Sequence, residues 1–366
     1  MKISFLTTWD IKCGIAEYSK CFVSALSDIG LDIRVIKLDP LGHPENTEKL
    51  IREINEADIA HIQYEPSFFA NYDFNRFIQT IAIPKIITMH EEYPATNFPK
   101  GFRALSPYYL GGYFYRMCLG RKYYKALNKA ISGFIVHSGN MKKSLITFGV
   151  APEKIEVFPI PVPALGKNLD MKKSKSLLSL SEKIVLTIFG FVNSRKGYEI
   201  AIKALCELPE KCVLLIAGGA RAGDDGKYME NLKQQIKRAG LSSRIIFMDF
   251  LPDENIPMIM SATDIVLAPF TEMSSSASLS VAISYGKAVI ASDLAPNRKI
   301  YDDGKCLELF KSGSSSDLKR AIMALTNNES RKSSLENAAL AYAENYSYRR
   351  MAEVLNSIYK QVICNK

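Results

Sequence analysis

Short apolar and β-branched runs alternate with amphipathic helical patterns along most of this chain. In the first half, this pattern predicts strands over 2–6, 32–36, 59–63, 85–89, 133–137 and 154–158. A second series is predicted over 184–188, 212–217, 244–248, 265–268 and 288–291. Such alternation favours parallel strands covered by helices on both faces. The sequence therefore predicts an α/β protein with two Rossmann-like, doubly wound parallel-sheet domains facing each other across a cleft.

Chain length and turn-forming residues predict where the two domains separate. At roughly 150 residues per domain, 366 residues are enough for two. Pro161, Pro163 and Gly166 are followed by several lysines, a composition typical of a linker. We therefore expect a first domain over 1–163, a linker over 164–182 and a second domain over 183–346.

The cysteines and the apolar runs bear on the cellular compartment. The seven cysteines are scattered and lack CxxC spacing, so they indicate neither a disulfide framework nor a zinc site. No apolar run approaches the roughly 18 residues of a membrane-spanning helix. Residues 1–8 resemble a first strand more than a signal peptide. A cytoplasmic protein is expected, with no metal site.

One segment carries an unusual charge balance. The net charge is +9, and residues 93–152 contain nine Lys or Arg and no Asp or Glu. Within 98–129 these cations alternate with aromatic residues, which suits an anionic membrane surface, on the inner face of the membrane. An equally good interpretation is that the aromatics belong to the core and the cations to a solvated helix face. Nucleic acid is not an expected partner, because no nucleic-acid-binding signature accompanies the segment.

The second half contains several positions suited to phosphate. One predicted strand ends at Gly190 and is followed by Arg195 and Lys196, and the next strand ends at Gly218. A serine-rich turn then opens an apolar helix, where Ser275, Ser276, Ala277 and Leu279 are predicted to bind phosphate. The simpler alternatives are a solvent-exposed basic turn and an ordinary helix cap.

These features occur in an order that resembles the GT-B glycosyltransferases of retaining family four, also called group 1. The motifs that carry the resemblance are Cys13-Gly14-Ile15-Ala16, His61-Ile62-Gln63-Tyr64-Glu65, Thr88-Met89-His90, Val136-His137-Ser138, Gly190-Phe191 to Lys196-Gly197, and Ala282 to Asp293. The likeness covers nearly the whole chain, and it implies that the last helix, 347–366, returns to the first domain.

The resemblance also implies roles for single residues. Lys196 contacts the donor diphosphate, with Arg195 as a second cation, and His90 lies close to the donor sugar. Gly14 allows close backbone approach, and the turn around Leu251 builds the base pocket. The family usually has two glutamates near the serine-rich turn. The second position is occupied by Val281, and Glu272 takes the first role if the loop holds one extra residue.

The expected activity is transfer of a hexose or N-acetylhexosamine from a nucleotide diphosphate sugar to a glycan or lipid-linked acceptor. The resemblance implies retention of configuration and independence of metal, and no cofactor is expected. A UDP-sugar is favoured over GDP-mannose. Two alternatives stay open: a nucleotide-sugar-binding protein without transferase activity, and a GT-B epimerase or phosphorylase.

Overall fold

The computed structural model describes residues 1–11, 13–39, 47–90, 107–164, 166–219, 226–248, 252–272 and 276–364, with the backbone alone over 107–112. Within them the chain forms two compact units. Unit 1 comprises Met1–Pro159 and Tyr348–Lys366, and unit 2 comprises Ile160–Ser347. The predicted first domain ends four residues later than unit 1 does, at residue 163.

Unit 1 is built on six parallel strands, namely β1 (Lys2–Thr7), β2 (Asp32–Lys37), β3 (Ile59–Tyr64), β4 (Lys85–Met89), β5 (Gly133–Val136) and β6 (Ile155–Val157). Their order is β2-β1-β3-β4-β5-β6. Its helices are α1 (Gly14–Asp28), α2 (Thr47–Ile54), α3 (Phe74–Thr80), α4 (Pro107–Ala130), α5 (Gly139–Thr147) and, from the end of the chain, α14 (Tyr348–Cys364). The numbering of the remaining elements follows the chain through unit 2.

Both faces of this sheet are covered, which explains why the residues of its central strands β3 and β4 are all buried. Every residue of β3 is buried. Ile62 and Tyr64 join the cluster formed with α3 and α4. On the other face, α14 packs against α1, with the rings of Phe22 and Tyr348 5.1 Å apart. The last helix therefore belongs to unit 1.

Unit 2 repeats the design with β7 (Ile184–Phe189), β8 (Cys212–Ala217), β9 (Ile245–Phe247), β10 (Ile265–Ala268), β11 (Val289–Ser292) and β12 (Glu308–Phe310). The parallel strands have the order β12-β11-β10-β7-β8-β9. Its helices are α6 (Met171–Leu177), α7 (Tyr198–Cys206), α8 (Lys227–Arg238), α9 (Ile256–Ala262), α10 (Ala277–Ser284), α11 (Ala295–Gly304), α12 (Ser315–Thr326) and α13 (Glu329–Asn345). These two sheets confirm the prediction of two doubly wound α/β domains.

The segment 164–182, predicted as a linker, belongs to unit 2. It contains α6, whose first turn is capped by the Asp170 side chain. The Lys175 ammonium lies 2.6 Å from the Asp264 carboxylate, and the two side chains are only 11% and 16% exposed. This buried ion pair fixes a lysine-rich segment that composition alone assigns to a flexible connection.

Candidate functional site

Lys196 lies at the carboxyl edge of the second sheet, just after β7. Asn193 accepts a hydrogen bond from the Arg195 N–H and begins the short 3₁₀ turn Ser194–Lys196. The Lys196 ammonium donates to the Phe189 carbonyl at 3.0 Å and to Ser278 Oγ at 2.6 Å. It also lies 4.7 Å from the centre of the Phe270 ring. These contacts join the end of β7 to the first turn of α10.

The charge of Lys196 is not neutralised by any carboxylate within ion-pair distance among the residues that the structure describes. Burial lowers its pKa to about 8, because the ammonium has lost water without gaining an anion. The two neutral oxygens that it contacts satisfy only part of its hydrogen-bonding capacity. An anion placed beside Lys196 would stabilise the charged form, which makes this position suitable for phosphate.

Gly190 and Gly218 line the same edge at very short range. A Cβ at Gly190 would lie 3.3 Å from the Lys196 ammonium nitrogen and 3.1 Å from Ser278 Cβ. At Gly218 a Cβ would lie 2.3 Å from the Gly190 carbonyl oxygen. The predicted glycines therefore meet each other after β7 and β8, and side chains at these positions would displace the backbone that holds Lys196.

The start of α10 supplies the other predicted phosphate-binding residues. Ser276 is the N-cap, and its Oγ accepts from the Leu279 N–H at 3.3 Å and contacts Ser278 Oγ at 2.9 Å. The Leu279 side chain is buried in the core, and its N–H donates to the Ser276 cap. The N–H groups of Ala277 and Ser278 are therefore the ones left to donate to a phosphate. Predicted residues Ser275 and Leu251 lie outside the described residues.

Arg195 and Glu272 are exposed and lie on neighbouring turns. The Arg195 carbonyl accepts from the Thr271 N–H at 3.0 Å, which brings the loop after β10 against the 3₁₀ turn. Neither charged side chain is fixed by a hydrogen bond or ion pair within the described parts of the chain. Both remain free to turn towards a ligand, in contrast to Lys196.

In unit 1 a second group of polar residues surrounds His90, which follows β4. His90 Nε2 lies 2.7 Å from Gln63 Oε1. The Gln63 amide nitrogen lies 3.3 Å from His61 Nε2, which is also 2.7 Å from Thr88 Oγ1. His61 Nδ1 then meets the hydroxyl of Tyr359 on α14. One hydrogen-bonded chain thus runs from the last helix to His90.

All three described histidines are neutral near pH 7. Burial lowers the pKa of His61 to about 3 and that of His137 to about 4. Burial is also the main reason that the pKa of His90 lies well below its ordinary value, and the neighbouring His137 and His61 lower it further. The site in unit 1 is therefore uncharged and offers hydrogen bonds rather than a cation.

The residues around His90 are partly among the sequence candidates. His61, Gln63 and Glu65 are weaker candidates for the acceptor side by sequence, and the structure buries the first two behind His90. Tyr18 of α1 packs edge-on against His90, with ring centres 5.1 Å apart. Gly14, which begins α1, is exposed, and a Cβ there would meet nothing within 4 Å. Close packing therefore does not require a glycine at this position.

The basic aromatic segment divides between core and surface. Tyr124 of α4 is buried, whereas Phe114 and Tyr115 are 58% and 66% exposed. Several cations of the same helix are exposed as well, namely Arg116, Arg121, Lys122, Lys125 and Lys129. Residues 98–106 lie outside the described residues. The core interpretation thus holds for Tyr124, and the membrane interpretation stays a prediction.

Two general searches concern metals and membranes. Among the described residues, no group of three or more His, Cys, Asp or Glu side chains is arranged to hold a metal ion. Every helix within the described ranges is too short or too polar to cross a lipid bilayer.

Comparison with solved structures shows the fold. The chain aligns with HepE of Anabaena, crystallised with UDP and glucose, with a TM-score of 0.76 and 19% identity over 99% of this chain and 100% of that one. It also aligns with sucrose-phosphate synthase of Thermosynechococcus elongatus, with a TM-score of 0.74 and 15% identity over 100% of both chains.

Sequence comparison adds curated relatives. The chain is 29% identical to an uncharacterised glycosyltransferase of Methanocaldococcus jannaschii over 267 residues, which are 69% of this chain and 63% of that protein. It is 28% identical to the 2-deoxystreptamine glucosyltransferase of Streptomyces kanamyceticus over 33% of this chain and 28% of that enzyme. The matches thus span less than two thirds of either relative.

Two family models match successive parts of the chain. Residues 26–164 match the model of Glycosyltransferase Family 4, and residues 170–341 match that of glycosyl transferases group 1. The two matches meet near the boundary between units 1 and 2. With two doubly wound sheets and these matches, the chain belongs to the group 1 glycosyl transferases and has the GT-B fold.

Proposed function

We propose that this protein is a retaining, metal-independent glycosyltransferase. It transfers a hexose or N-acetylhexosamine from a nucleotide diphosphate sugar to a glycan or lipid-linked acceptor. The observation that carries the proposal is the buried ammonium of Lys196, which lies between the Phe189 carbonyl and Ser278 at the start of α10 with no carboxylate at ion-pair distance among the described residues. This arrangement suits a phosphate group.

The chemistry requires fixed positive charge at the leaving group. As the bond between the anomeric carbon and the diphosphate breaks, negative charge grows on the diphosphate oxygens. Lys196 and the first N–H groups of α10 are already oriented by their packing, so little reorganisation accompanies the reaction. In this role they replace a divalent cation, and no cofactor takes part. We propose that Glu272, which is exposed on the loop before α10, hydrogen-bonds the hydroxyls of the donor sugar.

Retention of configuration needs a base on the side of the leaving group. We propose that a leaving-phosphate oxygen takes the proton from the acceptor hydroxyl as that hydroxyl attacks the anomeric carbon. The new glycosidic bond then forms on the face that the diphosphate leaves, so no pair of catalytic carboxylates of the glycosidase type is needed.

A UDP-sugar is the favoured donor, and GDP-mannose is the second choice. The support is that solved structures of the same fold contain UDP or UDP-glucose. An acceptor with a lipid part would be consistent with the exposed aromatic and cationic residues of α4, which suit an anionic bilayer on the cytoplasmic side. Sedimentation with anionic vesicles at low salt tests this last point, and absence of binding there would contradict it.

A second candidate function is nucleotide-sugar binding without transfer. Val281, in the position where the family usually has its second glutamate, is partly buried against the apolar cluster of α10 and cannot hydrogen-bond a ligand. By this resemblance, an apolar side chain stands in place of a carboxylate that would hold the donor. A GT-B epimerase or phosphorylase has no comparable observation in its favour.

The deciding experiment incubates the full chain with UDP-glucose, UDP-galactose, UDP-N-acetylglucosamine and GDP-mannose, in parallel with magnesium and with EDTA. Release of nucleoside diphosphate from one donor, with the anomeric configuration of the product followed by NMR, would support a retaining transferase. Binding without release would favour the second candidate. Conversion to another nucleotide sugar would identify an epimerase, and loss of release in EDTA would contradict metal independence.

A further inference from the structure

His90 and His137 are neighbours at the carboxyl edge of the first sheet. Met89 and Val136 are paired in register across β4 and β5, and each histidine is the next residue. The two imidazole rings lie 5.1 Å apart, and the Tyr18 ring packs edge-on against both. Adjacent strand ends thus place two imidazoles side by side.

The proton of each imidazole is assigned by its partner. The Phe158 carbonyl can only accept, so His137 Nδ1 donates to it at 2.9 Å and carries the proton. Gln63 presents its amide oxygen to His90 and its amide nitrogen to His61, so His90 donates from Nε2. The Tyr359 hydroxyl, which can donate or accept, contacts His61 Nδ1 and holds that ring behind Gln63.

The other nitrogen of each ring is left with a lone pair and nothing to accept. His137 Nε2 is buried and has no hydrogen-bond partner among the described residues. Among the same residues, His90 Nδ1 has no hydrogen-bond partner either. A buried acceptor without a partner, such as His137 Nε2, is unusual in a folded protein and calls for a ligand or water.

We propose that His90 Nδ1 and His137 Nε2 form a paired acceptor site for hydroxyl groups of one sugar ring, with Gln63 and His61 as positioning residues. Sugar hydroxyls donate well to uncharged imidazole nitrogens, and two fixed acceptors on rings 5.1 Å apart can be reached from one pyranose. The identity of the ligand as a sugar rests on the proposed function. His137 would then help determine which hydroxyl configuration is accepted.

The first test is NMR of the full chain labelled with ¹⁵N-histidine. The sequence has only four histidines, so single substitutions assign every imidazole. Near neutral pH, His90 should carry its proton on Nε2 and His137 on Nδ1, both uncharged. In Gln63→Leu, His90 should populate both tautomers and His137 should be unchanged. The control Gln79→Leu, at an exposed position of α3, should change neither histidine. The opposite tautomer or a protonated ring at either position would overturn the proposal.

The second test adds glucose, galactose, mannose or N-acetylglucosamine in the presence of UDP. At least one sugar should shift the ¹⁵N resonances of His90 Nδ1 and His137 Nε2 together, and both shifts should saturate with sugar concentration. His137→Asn keeps a donor for the Phe158 carbonyl and lacks the second nitrogen, so affinity for that sugar should fall about fivefold, the equivalent of one neutral hydrogen bond. Failure of every sugar, or a response of both rings to Zn²⁺ alone, would overturn the proposal. UDP binding measured on the same samples reports separately on the site at Lys196.

Discussion

Acid should destabilise unit 1 through its buried histidines, well above the pH at which carboxylates titrate. In the folded protein the pKa is about 3 for His61 and about 4 for His137, whereas an unfolded histidine has a pKa of about 6.5. The unfolded chain therefore binds more protons as the pH falls below about 6.5, and stability falls with it until the folded pKa is reached. At about pH 5, each histidine should remove about 2 kcal/mol relative to neutral pH, or about 4 kcal/mol together.

The sequence supplies a specific probe for this effect. Trp9 is the only tryptophan and lies in unit 1, and all four histidines lie in unit 1 as well. Urea unfolding followed by Trp9 fluorescence at about pH 7.5 and about pH 5 should show a midpoint lower by about 2 M at the acidic pH, for a slope of about 2 kcal/mol per M. Far-UV circular dichroism, to which both units contribute, should show a smaller shift of the urea midpoint for unit 2.

A matched substitution isolates one histidine. His61→Gln keeps groups that donate and accept but does not titrate, so the difference in stability between the two pH values should shrink by about 2 kcal/mol. Any constant loss caused by the substitution cancels in that difference. An unchanged pH dependence in this variant, or equal acid sensitivity of both units, would refute the reasoning.

Three further predictions concern unit 2. Gly197 has φ +71°, and a Cβ there would lie 1.9 Å from a backbone carbonyl oxygen, whereas Gly240 has φ +68° and open space around it. In urea unfolding, Gly197→Ala should therefore lower the free energy of unfolding by at least about 2 kcal/mol more than Gly240→Ala does. Asp264→Ala should destabilise unit 2 by about 3–5 kcal/mol, because it leaves Lys175 buried without its anion. Adding Lys175→Met to the same chain should recover part of that loss, and no recovery would contradict the ion-pair argument. Nucleotide affinity measured by calorimetry should weaken as the pH rises above the Lys196 pKa of about 8, and Lys196→Arg should flatten this dependence.

Periodicity was enough to predict the sheets because parallel strands buried on both faces are continuous apolar runs. The bounds 85–89, 212–217 and 265–268 agree with β4, β8 and β10, whose residues are all buried. The strand β12, Glu308–Phe310, is not among the predictions. The ion pair of Lys175, in segment 164–182, with Asp264 could not be predicted, because it joins residues far apart in sequence.

The candidate sites were predicted unequally for a similar reason. Gly190 and Gly218 follow strands directly, so strand prediction is enough to bring them to one edge, whereas Lys196 follows β7 by way of a short 3₁₀ turn. The contact of Lys196 with Ser278 depends on how α10 is placed, which the local sequence does not specify. His137 follows β5 as His90 follows β4, and this shared position was the available signal for the histidine pair. The proton assignments come from Gln63 and Phe158 and require coordinates.

The most direct test of the central claim is calorimetric titration of UDP into the full chain and into Lys196→Met, near neutral pH and without metal. The intact protein should bind UDP, and Lys196→Met should bind at least about tenfold more weakly, since a charge-assisted contact contributes about 1.5–3 kcal/mol. Lys203→Met, at an exposed position of α7, should bind like the intact protein. Equal affinity of Lys196→Met and the intact protein would contradict a phosphate site at Lys196.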